Sequence, residues 1–264
     1  MLKLINVSKT FGIGSSNEKR ALDQVDLTLQ PGEFVTVIGG NGAGKSTLFN
    51  CISGIYDVEE GKILLDDLDI TYFPEYKRSR AIGRVFQDPL KGTAFDMTIE
   101  QNLAIALGKG QPISLRPGIT KKELDFLRER VAMLDLGLEN RMKHKVGLLS
   151  GGQRQALTLL MATLVKPKIL LLDEHTAALD PAIAKKVMSI TRQIVEEEKL
   201  CTLMITHNMK ASLEFGTRTI MMHEGRIIMD IQGQERKQMT VDLLIDQFES
   251  RSGTALDNDR MLLG

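Results

Sequence analysis

The nine residues "GGNGAGKST", 39 to 47, constrain the possible fold more than any other stretch of this chain. They match Gly-x-x-x-x-Gly-Lys-Ser, a loop whose glycines let backbone amides wrap closely around phosphates. Such a loop needs a strand before it and a helix after it, so that the helix N-terminus adds its positive dipole end. Both are expected here. "FVTVIG" is a short β-branched run, and "KSTLFNCISG" starts helically and ends on Gly54. Gly39, Gly40, Asn41, Gly42, Ala43, Gly44, Lys45, Ser46 and Thr47 are therefore candidate nucleotide-binding residues. Lys45 would reach the terminal phosphates, and the Ser46 hydroxyl would bind Mg²⁺.

The second half of such a site is expected in "ILLLDEHTAALD", 169 to 180. Ile169 to Leu172 read as a strand buried on both faces, so Asp173 emerges at its carboxyl end, beside the phosphate loop in sheets of this kind. There Asp173 can hold the Mg²⁺ shell while Glu174 orients or deprotonates an attacking water. His175, directly after the two acids, invites a catalytic reading as well. Its ring either packs and hydrogen-bonds locally, or tunes Glu174 or a dimer interface near neutral pH.

Around these motifs the chain reads as an α/β body interrupted by a helical insertion. "LKLINVS" and "ALDQVDLTL" alternate as strands, and "GKILLDD" adds another. From about Gln87 the character turns helical. "TKKELDFLRERVAMLDLG" carries leucines and valines at helical spacing and opens with Thr120 and Glu123, a capping-box pair. Strands return in "KILLLDE", "CTLMITH", "TIMMHEG" and "RIIMDI", with an amphipathic helix in "AIAKKVMSITRQIVEEE". A last helix places Val241, Leu244, Ile245 and Phe248 on one face, and a loose polar tail is expected after it. The expected division is a core of 1–86 and 161–231, a helical subdomain of 87–160, and a C-terminal helix and tail of 232–264.

Composition excludes some functions. Lysine plus arginine number 34, as do aspartate plus glutamate, so bulk charge gives no reason to expect nucleic acid as a partner. Cys51 and Cys201 lie in apolar surroundings without metal-ligand spacing and are expected as buried free thiols. No signal peptide or membrane span is legible, so any membrane role is expected to come through a partner.

"LSGGQ", Leu149 to Gln153, then narrows the class. A Ser-Gly-Gly turn entering a helix is a second anion site. With the phosphate loop, "VFQDP", "LLLDE", "AALD" and "MITHN" in that order, the sequence closely resembles the ATP-binding cassette (ABC) ATPases through about Ile231. The resemblance implies a P-loop fold, with an ATP-binding core, an N-terminal antiparallel β subdomain and an inserted helical signature subdomain. It places Phe11 where an aromatic stacks on adenine, and Gln87 where a glutamine senses Mg²⁺ and the attacking water. His207 falls where a histidine contacts the γ-phosphate, and Asp180 in a loop crossing the dimer interface. It implies a head-to-tail homodimer, in which Leu149, Ser150, Gly151, Gly152 and Gln153 bind the ATP of the partner subunit.

A single cassette of this kind looks like the ATPase subunit of a bacterial importer, on the cytoplasmic face of the membrane beneath a permease and served by a solute-binding protein. The rival is a soluble ABC ATPase of translation, repair or iron–sulfur assembly. "VFQDPLKGTAFDMTIEQNLA" most resembles importers assigned to tryptophan or tyrosine. The sequence departs from the family at His175, where most cassettes have proline.

Overall fold

The computed structural model describes residues 1–110 and 118–253. Most of the loop expected at 108–118, and the polar tail, lie outside the described residues. Strands β1 (Leu2–Phe11), β2 (Lys19–Leu29) and β3 (Phe34–Gly39) lead into helix α1 (Lys45–Ser53). β4 (Glu60–Leu65), β5 (Leu68–Asp69), α2 (Glu75–Arg78) and β6 (Ile82–Val85) follow. The helical stretch holds α3 (Ile99–Leu107), α4 (Lys121–Ala132) and α5 (Gly151–Thr163). Then come β7 (Ile169–Asp173), α6 (Pro181–Glu198), β8 (Thr202–Ile205), α7 (Met209–Glu214), β9 (Arg218–His223), β10 (Arg226–Gln232), α8 (Gly233–Gln238) and α9 (Val241–Ser252).

Two sheets result. β2-β1-β4-β5 is a four-stranded antiparallel sheet, and β10-β9-β3-β8-β7-β6 is a six-stranded sheet. The latter is parallel from β9 to β6, with only β10 antiparallel at its edge. Its inner strands are covered on both sides, which is why "FVTVI", "ILLL" and "TLMI" are buried throughout and, apart from Thr36 and Thr202, apolar without alternation.

Alternate residues of these strands nevertheless enter different cores. Val35, Val37, Leu171, Leu203 and Ile205 join Leu48, Phe49 and Ile52 of α1, between the two sheets. Phe34, Leu170, Leu172 and Met204 instead join α3, α4, α5 and α6. Successive strand side chains point to opposite faces, so α1 and α5 lie on opposite faces of the parallel sheet. A third cluster gathers Ile38 and Met209 against Leu244 and Phe248 of α9, which thereby docks behind the end of β3.

Local chemistry explains the boundaries. Gly54 adopts a left-handed conformation at the end of α1, and Thr120 with Glu123 forms the full capping box of α4. Arg78, buried and unforeseen, donates to the carbonyls of Cys51, Ile52, Thr71 and Phe73, and so secures the carboxyl end of α1. α5 runs unbroken across residue 160, where the sequence suggested the helical subdomain to end, because its buried face continues to Thr163. Both cysteines are buried and free, and burial pushes the thiols up to about 12 for Cys51 and about 11 for Cys201. No helix among the described residues is long and apolar enough to cross a membrane.

Candidate functional site

The parallel strands deliver four candidate segments to one edge, outside their carboxyl ends. β3 ends at Gly39, where the loop to α1 begins. Gly44 has φ +101°, and a Cβ there would lie 2.5 Å from the Ala21 carbonyl oxygen, so only glycine lets the loop turn into α1. Lys45 follows, buried, with Nζ donating to the carbonyls of Gly39 at 2.8 Å and Gly40 at 3.0 Å. Burial pushes its pKa down, opposed by the carboxylates of Glu174 and Asp173. The loop's outer residues Asn41, Gly42 and Ser46 are exposed, and Thr47 is half-buried.

β7 ends at Asp173, and its neighbour β8 sets the register through the pair Asp173–Ile205. Glu174 then turns with φ +44°, its amide donating to the Ile205 carbonyl at 3.1 Å. His207 stands just past β8, before α7, whose first turn is capped by Asn208. These two strand ends bring His207 Nε2 to 2.5 Å from Glu174 Oε1. Asp173 instead meets Arg84 of β6, with Nη2 at 3.3 Å. Burial raises the Asp173 carboxyl, and Arg84 pulls it back down.

Ser46, Gln87, Asp173 and Arg84 line one open cleft of about 610 Å³, together with Asn50, Phe86 and Asp88. The oxygens of Ser46, Gln87 and Asp173 form a hard donor set with a single carboxylate. Mg²⁺ accepts such a set, because it takes its remaining ligands from water and phosphate. Among the described residues no group of three or more His, Cys, Asp or Glu could hold a metal without such help.

His175 is not part of this edge chemistry. It is 2% exposed, with Nε2 3.0 Å from Thr191 Oγ1 in α6. Thr191 spends its own hydroxyl hydrogen on the Val187 carbonyl at 2.8 Å, so it accepts from His175, which fixes the Nε2–H tautomer. Burial lowers the imidazole pKa from 6.5 to about 4. Of the two readings offered by the sequence, the geometry matches the local hydrogen bond and leaves the ring neutral near pH 7.

The signature turn sits apart from the phosphate loop. Ser150 caps α5, accepting from the Gln153 amide at 3.3 Å while the Gln153 side chain accepts from the Ser150 amide at 3.1 Å. Leu149 is buried beneath the turn. Gly152 is needed for close approach, since a Cβ there would lie 2.0 Å from Ile183 Cγ2 of α6. Gly152→Ala is therefore expected to cost about 1–3 kcal/mol of folding stability by overpacking. Adding Ile183→Ala should restore a substantial part of that loss in urea denaturation, and strictly additive losses would show that the two side chains do not compete for one space. Asp180 caps α6 by accepting from the Ile183 amide at 3.1 Å, a structural duty its sequence context did not suggest. Gln155 Nε2 donates to the Phe86 carbonyl at 3.1 Å and so ties α5 to the residue before Gln87. Phe11 ends β1, partly exposed, with its ring edge-on to Tyr56 and its strand partner Lys19 reaching over Gly42.

Known proteins resemble this chain in sequence and fold. The family model described as "ABC transporter" matches residues 22–177. A tyrosine transport ATP-binding protein of Clostridioides difficile is 43% identical, covering 94% of this chain and 99% of its own length. A phosphonates import ATP-binding protein of Lactococcus lactis is 33% identical, over 92% and 97%. A dimeric ATP-binding cassette in a post-hydrolysis state with ADP and Pi bound superposes with TM-score 0.73 at 30% identity, covering 88% of this chain and 98% of the other. Fold, motif order and kinship over nearly the full length agree, and the chain belongs to the ABC transporter family as an ATP-hydrolysing cassette.

Proposed function

We propose that this cassette powers import of an aromatic amino acid, tyrosine first among them, through a separate membrane permease. It works as a head-to-tail homodimer on the cytoplasmic face of the membrane. The observation that carries the mechanism is the meeting of Lys45, Asp173, Glu174 and His207 at one sheet edge while the signature helix lies on the opposite face. A turn so placed is well suited to the nucleotide of a second copy. The amino acid assignment is supported by the similarity to the tyrosine transport protein.

In this reading the amides of 39–47 cradle the phosphates, and Lys45 leaves the Gly39 and Gly40 carbonyls for them. Mg²⁺, held by Ser46, Gln87 and Asp173, would neutralise charge on the β- and γ-phosphates. Phe11 lies against the adenine. Glu174 takes a proton from the attacking water as its oxygen bonds to the γ-phosphorus and the bond to ADP breaks. His207, already on Glu174, holds that carboxylate and meets the γ-phosphate. Loss of the γ-phosphate then removes the bridge to the partner's Ser150–Gly152 turn, and the halves part. After Gln87, Leu90 and Phe95 remain exposed, apolar side chains suited to burial under a permease.

The test is reconstitution with a candidate tyrosine-importer permease and its solute-binding protein. ATPase activity in proteoliposomes should rise with tyrosine-loaded binding protein and stay low with the unloaded one. Activity indifferent to permease, binding protein and amino acid would sink the importer assignment, and stimulation by another solute alone would sink the tyrosine assignment.

A further inference from the structure

Arg84 is a charged group in the cleft that none of the motifs accounts for. It projects from β6, at the edge of the parallel sheet, and its side chain is 12% exposed. Nη1 donates to Ser53 Oγ at 3.0 Å, at the last residue of α1, and Nη2 to Asp173 Oδ2 at 3.3 Å. The guanidinium lies over the Phe86 ring, 4.7 Å from its centroid, while Nε is buried without a partner. One side chain thus touches the end of the phosphate-loop helix, the carboxylate at the metal position and the residue before Gln87.

An exposed ion pair of this length would matter little, but Asp173 is only 14% exposed. A carboxylate withdrawn from water to that extent requires a counter-ion, and Arg84 is the one in contact with it. A divalent cation on the same carboxylate would be repelled by the guanidinium at a range where salt screens poorly. The phosphates of a nucleotide would offset that repulsion. The fork can also release Asp173 while Ser53 and Phe86 still hold it.

We propose that Arg84 is the resident counter-ion of Asp173 in the nucleotide-free protein, holding that carboxylate at the metal position and excluding a bare divalent cation until nucleotide arrives. Arg84 is thus a positioning residue that makes metal binding depend on nucleotide. The proposal rests on the reading of Asp173 as a metal ligand.

Mn²⁺ titrated into the full-length protein, with free Mn²⁺ followed by electron paramagnetic resonance, tests it. Wild type should bind Mn²⁺ much more weakly without ADP than with it. Arg84→Gln should tighten Mn²⁺ binding to the nucleotide-free protein by roughly tenfold or more, with a far smaller change when ADP is bound. Arg84→Lys, which keeps the charge, should stay close to wild type. Unchanged or weaker Mn²⁺ binding by nucleotide-free Arg84→Gln, with ADP affinity and thermal midpoint preserved, overturns the proposal. Should that variant not fold, wild type decides, because equal Mn²⁺ affinity with and without ADP overturns it too. Asp173→Asn separates the two ideas. Retention of ADP-dependent Mn²⁺ binding in that variant refutes Asp173 as ligand, whereas its loss, without tightening in Arg84→Gln, refutes the role of Arg84 alone.

Discussion

Glu174→Gln is expected to lower ATP turnover by about 10²–10⁴-fold while leaving ATP binding intact. The substitution keeps the shape of the side chain and its capacity to accept a hydrogen bond from His207, now 2.5 Å away. It removes the carboxylate proposed to take the proton of the attacking water. Glu174 is not among the groups contacting Lys45 directly, since Lys45 Nζ rests on the Gly39 and Gly40 carbonyls, so the phosphate loop should fill as before. The backbone at 174, with φ +44°, is set by the hydrogen bond its amide donates to the Ile205 carbonyl, and a side-chain amide does not disturb it. With the γ-phosphate no longer lost, the variant should accumulate as an ATP-bound dimer at micromolar protein, visible by light scattering. Turnover near the wild-type rate would remove Glu174 from the chemistry. Low turnover with a persistent monomer in ATP would spare the chemistry and sink the shared-nucleotide dimer.

The large features were legible because they are local or periodic. The phosphate loop announces its strand and helix by glycine spacing, and "ILLL" announces a strand covered on both faces. The opposite-facing placement of α1 and α5 was not legible in the same way. It follows from which alternate residues of β3, β7 and β8 enter which core, and every one of those residues is apolar. The cleft shows the same limit. Ser46, Asp173 and Gln87 stand in motifs, whereas Arg84 is one arginine on a short edge strand, and only the pairing of β6 with β7 sets it beside Asp173. Arg78 carried no motif, yet it is buried on four backbone carbonyls. Arginine in a sequence does not reveal whether its five donors find water or peptide oxygen. Ser150 and Asp180 show the converse, motif residues that also cap helices, so their side chains serve the fold before any nucleotide is present.

His175 converts its burial into a pH dependence of folding rather than of catalysis. Its folded pKa of about 4 lies below the ordinary 6.5, so the fold favours the neutral ring. Well above pH 6.5 the ring is neutral whether the chain is folded or not, and this contribution to stability is complete. As pH falls below 6.5 the unfolded chain takes up a proton that the folded chain refuses. Stability then declines by about 1.4 kcal/mol per pH unit, to a total of roughly 3 kcal/mol near pH 4, where the folded ring also protonates. Carboxylates titrate in the same window, so the measurement is a difference. Urea denaturation of wild type and His175→Gln is compared from pH 7.5 to pH 4. Glutamine keeps a donor for Thr191 Oγ1 and cannot charge. The stability gap between the two proteins should shift in favour of His175→Gln by that amount, and nearly all of the shift should fall below about pH 7. Parallel profiles would mean that the imidazole is solvated or charge-paired in the fold. The pH dependence of ATP turnover between 6.5 and 8 should be the same in both proteins, because the ring that borders Glu174 in sequence points its Nε2–H at α6 and carries no charge there.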